Sequence, residues 1–197
     1  MCQTPFLNAF PLDADGVCTA CRGGLRGFDA AYCLAAYEGG FRQLIHLFKY
    51  GRMQSLRQPL SRMLAEALPR DARFDAVTSV PLHWRRRYQR GFNQSELLAR
   101  DIARRWGAPY VRMLRRGRST ASQAALTNAQ RRTNVAGAFS MRRSTMGSNG
   151  AAGHHVLLVD DVMTTGATAR ACAAVLRRAG ARSVTLLTLA RVDRRLA

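Results

Sequence analysis

Two adjacent carboxylates, Asp160 and Asp161, directly follow the apolar run 156–159. The Val and Leu residues of that run predict a strand that is buried on both faces, and the acids stand where the strand should end. Two ionised carboxylates can accept hydrogen bonds from two neighbouring hydroxyls, as in a ribose diol, or bind a hydrated Mg²⁺ ion. The pair therefore predicts a sugar-binding or metal-binding site at the carboxyl end of a strand.

The stretch after the acids has the composition of a phosphate-binding loop. Its candidate phosphate-binding residues are Thr164, Thr165, Gly166, Ala167 and Thr168. Backbone N–H groups at the start of a helix attract an anion, Gly166 permits close approach of the backbone, and threonine hydroxyls add hydrogen-bond donors. The run 156–168 therefore predicts a site for a phosphorylated sugar. The alternative is an ordinary strand-to-helix turn in which Asp160 or Asp161 caps the helix.

The chain is strongly basic, with 31 Lys and Arg residues against 12 acidic residues and a formal net charge of +19. Lys49 is the only lysine, and residues 102–159 contain no Asp or Glu. Arginine forks match phosphate oxygens, so this charge predicts a polyanionic partner: nucleic acid, a pyrophosphate-bearing ligand or an acidic protein. The alternative is a solvated basic surface with no dedicated ligand. The candidate contacts for a polyanionic partner are Arg85, Arg86, Arg87, Arg90, Arg131 and Arg132.

The elements that must position these residues alternate between strand and helix patterns. Amphipathic spacing predicts helices over 41–49, 56–67, 93–106 and 169–178, and apolar runs predict strands over 74–80, 110–114, 156–159 and 184–189. Asn93 and Glu96 have the spacing of a capping box at the start of the third helix. This alternation predicts an α/β fold with a parallel sheet flanked by helices.

The N-terminal segment, residues 1–35, holds four of the five cysteines and little periodic pattern. Cys18 and Cys21 have the Cys-x-x-Cys spacing of a zinc knuckle, and Cys2 and Cys33 can complete a four-cysteine set. We therefore divide the chain into a Cys-containing segment, 1–35, and a main domain, 36–197. No stretch predicts a membrane span and no signal peptide is visible, so we expect a cytoplasmic protein that does not act in a membrane.

The run 156–168 closely resembles the phosphoribosyl pyrophosphate (PRPP) signature of type I phosphoribosyltransferases. The resemblance implies that family's parallel sheet and a site for PRPP with Mg²⁺. It also implies that Asp160 and Asp161 are the catalytic acids that hold the ribose 2′- and 3′-hydroxyls, and that 164–168 cradle the 5′-phosphate. Residues 123–139 look like the mobile hood over the active site in this fold, with Arg131 and Arg132 placed to neutralise pyrophosphate.

Three further stretches, 47–51, 80–94 and 123–139, are similar to the corresponding stretches of ComF-type proteins. The resemblance implies a role in natural competence, with DNA uptake, cytoplasmic handling of single-stranded DNA and a DNA helicase of the competence machinery as partner.

Proteins of this type usually carry two Cys-x-x-Cys pairs, and Cys2 looks like the second cysteine of the first pair, whose partner would lie upstream of Met1. We expect either that the chain starts late or that the knuckle has partly decayed. Cys2, Cys18 and Cys21 are the candidate zinc ligands. The alternative function is an active phosphoribosyltransferase that uses PRPP and an unidentified small acceptor.

Overall fold

The computed structural model describes residues 2–3, 27–51, 53–117, 137–142 and 150–192, with backbone alone for 2–3. The strands are β1 (Cys2–Gln3), β2 (Ala30–Ala36), β3 (Ala76–Ser79), β4 (Leu114–Arg116), β5 (Phe139–Met141), β6 (His155–Met163) and β7 (Ser183–Arg191). The α-helices are α1 (Gly39–Tyr50), α2 (Arg57–Glu66), α3 (Trp84–Arg90), α4 (Gln94–Trp106) and α5 (Ala167–Arg178), and a 3₁₀ turn (Gln54–Leu56) precedes α2.

Five strands form a parallel sheet in the order β1-β2-β7-β6-β3. Strands β4 and β5 pair antiparallel in a separate two-stranded ribbon. This architecture, with helices between parallel strands, confirms the fold class predicted from the sequence. Among the described residues, no helix has the length and apolar character that crossing a bilayer requires.

The central strand β6 shows why the predicted buried strand folds as it does. Val156 and Leu158 pack into the core cluster that contains α5, whereas Leu157 and Val159 pack into the cluster that contains α1, α2 and α4. Because successive side chains of a strand point to opposite faces, an unbroken apolar run serves both sides of the sheet. Its four residues are fully buried.

Strand β6 differs from the sequence prediction in its length, because it continues through the acids to Met163. Asp160 pairs in register with Thr188 of β7, so the acids lie within the strand. On the other edge, β3 stops pairing at Ser79, which lies opposite Val159. The acid pair therefore stands one residue beyond the end of its shorter neighbour, where that edge of β6 opens into a cleft.

Two further differences concern short strands. Tyr110 forms only an isolated parallel bridge with Val77, and β4 begins four residues later, so the predicted strand 110–114 is displaced. Strand β2 was not predicted, because its Ala-rich sequence lacks a strong strand pattern. It pairs with β7 over 30–36 and therefore crosses the proposed boundary at residue 36, while the division into two segments stays a prediction.

Candidate functional site

A cleft of about 250 Å³ opens beyond the carboxyl ends of β3 and β6. It brings together residues that are far apart in the sequence, from the ends of β2 and α1 to the start of α5. Its acidic and hydroxyl-bearing lining consists of Asp160, Asp161, Ser95, Thr164, Thr168 and Tyr37. Its basic lining consists of Lys49, Arg86, Arg90 and Arg116. Open parallel sheets bind ligands at this end of their strands.

Asp160 is held in place by two hydrogen bonds to one carboxylate oxygen. Its Oδ1 accepts a hydrogen bond from the Ser95 hydroxyl at 3.0 Å and another from the backbone N–H of Asp161 at 2.9 Å. Burial, and to a smaller extent the charge of Asp161, raise the pKa of Asp160 to about 7, although those two donors and Lys49 act in the opposite direction. The site thus holds a carboxylate whose negative charge is incompletely compensated.

Asp161 has a single cationic contact among the described residues, the ammonium of Lys49. The Lys49 Nζ lies 3.0 Å from Asp161 Oδ1, and both side chains are largely buried. Lys49 stands at the end of α1, and its backbone carbonyl accepts a hydrogen bond from the Gln94 side-chain amide at 3.3 Å. The end of α1 is therefore tied to the start of α4 beside the acids. Lys49 and Ser95 were not predicted as site residues, because neither belongs to the run 156–168.

The predicted phosphate loop forms the turn into α5. Gly166 is the residue before the helix and has φ +71°, a left-handed conformation that favours glycine. The Thr165 hydroxyl accepts a hydrogen bond from the Ala167 N–H at 3.3 Å, and Thr165 lines neither cavity of the site. Thr164 and Thr168 line the cleft and also a small adjoining cavity of about 20 Å³. The loop thus offers two hydroxyls and a helix N-terminus to an anion.

The candidate arginines of α3 divide into different environments. Arg86 and Arg90 line the cleft, and Arg90 also donates to the Tyr50 hydroxyl at 2.8 Å. Arg85 lies 5.3 Å from the centre of the Trp84 ring. Arg87 is paired with Glu96 at 3.4 Å. Arg131 and Arg132 lie outside the described residues.

Arg116 is a cleft residue that the sequence analysis did not single out. It stands on β4, where its guanidinium lies 5.3 Å from the centre of the Phe139 ring. Burial lowers the pKa of Arg116, and the charge of Arg86 lowers it as well. The stretch 102–159, which has no acidic residue, contains ten arginines, and nothing in the sequence distinguishes Arg116 from the others.

The capping box predicted at the start of α4 is wrong. Asn93 is the residue before the helix, but its side-chain amide donates to the Val80 carbonyl at 3.1 Å and makes no cap hydrogen bond. Glu96 instead receives hydrogen bonds from Arg87, Arg100 and Arg112. Asn93 and Glu96 therefore form hydrogen bonds with groups outside the helix start instead of capping it, because the start of α4 is buried against the end of β3.

The zinc-ligand prediction concerns residues whose side chains are not described. Cys18 and Cys21 lie outside the described ranges, and only the backbone of Cys2 is described. Cys33 is buried on β2, where its thiol donates to the Ala35 carbonyl at 3.1 Å. Within the ranges that the structure describes, no three His, Cys, Asp or Glu side chains form a metal-binding group. Zinc binding stays a prediction.

Comparison with known proteins adds independent information on this site. A family model described as phosphoribosyl transferase domain matches residues 93–196. The chain is 35% identical over 168 residues to the DNA utilization protein YhgH of Escherichia coli O6:H1, covering 80% of this chain and 70% of that protein. It is 33% identical over 156 residues to competence protein F of Haemophilus influenzae, covering 75% of this chain and 66% of that protein.

One solved structure with a similar fold is that of the allosteric regulatory enzyme of purine biosynthesis. The two chains are 28% identical with a TM-score of 0.47, and the match covers 68% of this chain. It spans only 25% of the solved chain.

Proposed function

Because the chain belongs to the ComF family and carries a phosphoribosyl transferase domain, we propose that it binds PRPP with Mg²⁺ in the cleft beside Asp160 and Asp161. The observation that carries the proposal is the meeting of two carboxylates, a helix N-terminus and four basic side chains in one cleft. Few ligands other than a phosphorylated sugar would use the carboxylates, the helix N-terminus and the basic side chains together.

The contacts suggest how PRPP would lie in this cleft. The two adjacent carboxylates accept hydrogen bonds from the ribose 2′- and 3′-hydroxyls, whose protons offset the crowding of negative charge. The loop 164–168 receives the 5′-phosphate at the start of α5. Arg86 and Arg90 from α3, with Arg131 and Arg132, are the candidates for the pyrophosphate.

The residues also fit the Mg²⁺ ion that would accompany PRPP. Carboxylate and phosphate oxygens are the hard ligands that Mg²⁺ prefers, and it keeps several water molecules when bound. Among the described residues, Lys49 is the only cation in contact with Asp161, which leaves room in the charge balance for a divalent ion. The ion would neutralise the pyrophosphate, while the carboxylates hold the sugar.

We further propose that this PRPP-binding protein acts in natural competence and DNA uptake, handling single-stranded DNA in the cytoplasm. Its curated relatives are named for DNA utilization and for competence. The net charge of +19 supports electrostatic attraction of a nucleic acid strand. A DNA helicase of the competence machinery is the expected protein partner.

The second candidate function is phosphoribosyl transfer to a small acceptor. An acceptor nitrogen would attack ribose C1, the bond to pyrophosphate would break through an oxocarbenium-like transition state, and the acceptor would lose a proton. The match of residues 93–196 to a phosphoribosyl transferase domain supports this candidate. Among the described residues, no His or Glu lines the cleft.

Calorimetric titration with Mg-PRPP tests the binding proposal. We expect Asp160→Asn with Asp161→Asn to weaken binding by about 100-fold or more, because two charge-assisted hydrogen bonds are lost. The matched control, Glu66→Gln with Asp71→Asn, removes two exposed acids outside the cleft and should leave the affinity unchanged. Equal affinity in the site variant and the wild type would refute the assignment of the sugar site.

Pyrophosphate release from PRPP, measured with a panel of purine and pyrimidine bases, separates the two functions. Release that depends on one base and disappears in the double Asp variant would establish transfer. Tight PRPP binding without release would favour a sensor or carrier role.

A further inference from the structure

Helix α3 buries none of its seven residues. It is closed at its start by His83, whose Nδ1 accepts the Arg85 N–H at 3.4 Å, and at its end by Gly91, whose N–H donates to the Arg87 carbonyl at 2.8 Å. A helix this short is marginal by itself, and apolar burial does not stabilise it. Packing therefore does not account for its two large aromatic side chains.

The inner side of α3 is already occupied. Arg86 and Arg90, one turn apart, line the cleft, and Arg87 pairs with the buried carboxylate of Glu96. These three contacts fix the helix over the cleft and leave its opposite side facing solvent. The outer side must therefore be considered separately from the PRPP site.

The outer side presents Trp84 and Tyr88, which are 65% and 88% exposed. Residues four apart lie on the same face of a helix, so both side chains project from one face of α3. The Arg85 guanidinium lies 5.3 Å from the centre of the Trp84 ring. Tryptophan is usually highly buried, so a pair of exposed rings accompanied by arginine is a feature that the fold leaves unexplained.

Resting on the DNA-handling part of the proposed function, we propose that the outer face of α3 binds single-stranded nucleic acid. Bases stack on Trp84 and Tyr88, and Arg85 neutralises the neighbouring phosphates. Exposed aromatic rings beside arginines are the means by which proteins bind single strands without reading their sequence. The inner arginines serve the cleft, so one short helix separates the two anionic ligands.

The charge of the helix supports this occupant. Residues 84–90 contain four arginines and no acid, which suits a polyanion. The outer face has no aliphatic side chain that could insert among lipid tails, which disfavours a membrane surface. An acidic protein would be attracted by the same charge, but it would not require the two rings.

The first experiment uses Trp84 as its own reporter. The chain has two tryptophans, and Trp106 packs edge-on against Phe74 at 5.8 Å between ring centres. In the Trp106→Phe variant, we expect a 20-nucleotide oligothymidylate to quench the remaining fluorescence in a saturable manner. Polyglutamate of similar charge and phosphatidylglycerol vesicles should not. Equal responses to polyglutamate or to the vesicles would overturn the stacking proposal.

The second experiment measures the contribution of the rings to affinity. Alanine replacement of a stacking ring costs about 5- to 150-fold in binding. We therefore expect Trp84→Ala with Tyr88→Ala to weaken oligothymidylate binding at least tenfold, with unchanged affinity for Mg-PRPP. The variant Trp84→Phe with Tyr88→Phe retains both rings and should bind within about twofold of the wild type.

The outcomes distinguish this inference from the proposed function on which it rests. Oligonucleotide binding that survives loss of both rings would refute the stacking face and leave DNA handling intact. Failure of the wild-type protein to bind the oligonucleotide would refute both, while the Mg-PRPP titration judges the sugar site separately. If Trp84→Ala with Tyr88→Ala also loses affinity for Mg-PRPP, the substitutions have displaced α3. The variant Trp84→Phe with Tyr88→Phe then provides the test, and weak nucleic acid binding by that variant would overturn the inference.

Discussion

Two acidic centres stand on either side of the first turn of α4, and they are built in opposite ways. Ser95 donates a hydrogen bond to Asp160, which lies beside a second carboxylate, Asp161. The next residue, Glu96, is a single carboxylate that receives hydrogen bonds from three arginines. One centre gathers negative charge in the cleft, whereas the other is surrounded by positive charge.

The pKa values of the two centres differ accordingly. Burial and the charge of Asp161 raise the pKa of Asp160 to about 7. Burial alone would raise the pKa of Glu96 too, but hydrogen bonds from Arg112 and Arg100 outweigh it and hold that pKa below its usual value. The surroundings thus disfavour the charged form of the carboxylate at Asp160 and favour it at Glu96.

This difference indicates the role of each centre. Glu96 joins α3 and α4 to Arg112 in the segment before β4, so its charge network stabilises the scaffold around the cleft. Within the part of the chain that the structure describes, Lys49 and Ser95 are the side chains that link the Asp pair to other elements. The unbalanced charge of the pair would be relieved by a ligand that brings hydroxyl protons or a cation. Titratable groups with perturbed pKa values in a cleft are typical of binding and catalytic sites.

The largest expected loss of stability comes from removing the charge of Glu96. We expect Glu96→Gln to lower the free energy of unfolding by about 2 kcal/mol at pH 7, less than a fully buried ion pair because its arginines are half-exposed. Urea unfolding measures this. The control Glu66→Gln breaks an exposed pair with Arg62 and should change stability by less than about 0.5 kcal/mol.

The pH dependence of the Glu96 effect follows from the lowered pKa. The folded state holds the proton less tightly than the unfolded state, whose pKa is about 4.3. The stabilisation is therefore complete above that value and is lost as pH falls through the folded pKa. The difference between wild type and Glu96→Gln should shrink as the pH falls below the unfolded pKa, and a constant difference would contradict the charge network.

The opposite result is expected for Asp160. Its folded pKa lies above the unfolded value of about 3.9, so ionisation destabilises the folded protein as pH rises from about 4 to about 7. Asp160→Asn removes this penalty and should raise the free energy of unfolding by on the order of 1 to 3 kcal/mol at pH 8, with little gain near pH 4. Urea unfolding of the wild type and the variant at both pH values checks this prediction. A loss of stability in the variant at pH 8 would contradict the incomplete charge compensation of Asp160.

The smallest effect is expected at the hydrogen bond that connects Asp160 to α4. Ser95→Ala removes the hydroxyl donor to Asp160 and should cost about 1 kcal/mol of stability at pH 8. It should also raise the pKa of Asp160 further, because that donor favours the charged form. In the Asp160→Asn background the cost of Ser95→Ala should become smaller, and a double-mutant cycle measures that coupling.

Much of the fold followed from local patterns. The run 156–159 predicted a strand buried on both faces, and the structure confirms it because every residue of the run is apolar. The predicted helix 93–106 is observed as α4, which ends at Gly107 with φ +63°. Strand β2 was not predicted, because its alanines and single cysteine carry little strand preference, and pairing with β1 and β7 orders them.

The site was predictable only where its residues are contiguous. The acids and loop 160–168 form one stretch of sequence, so a family signature identifies them. Lys49, Ser95 and Arg116 come from three separate elements, and nothing in their neighbouring residues indicates that they meet in the cleft. Glu96 shows the converse. Its local spacing suggested a helix cap, but its carboxylate accepts hydrogen bonds from arginines instead, two of them distant in the sequence.

The sequence by itself determined the parallel α/β fold, the basic charge and the identity of the acid pair with its loop, because periodicity, composition and contiguous motifs depend on nearby residues. Only the tertiary structure decided how the charges are distributed. It placed Lys49 against Asp161, gathered three arginines on Glu96, and turned the arginines of α3 towards different partners. The physical reason is that electrostatic balance depends on the distances between side chains in space. Those distances are set only when the chain folds.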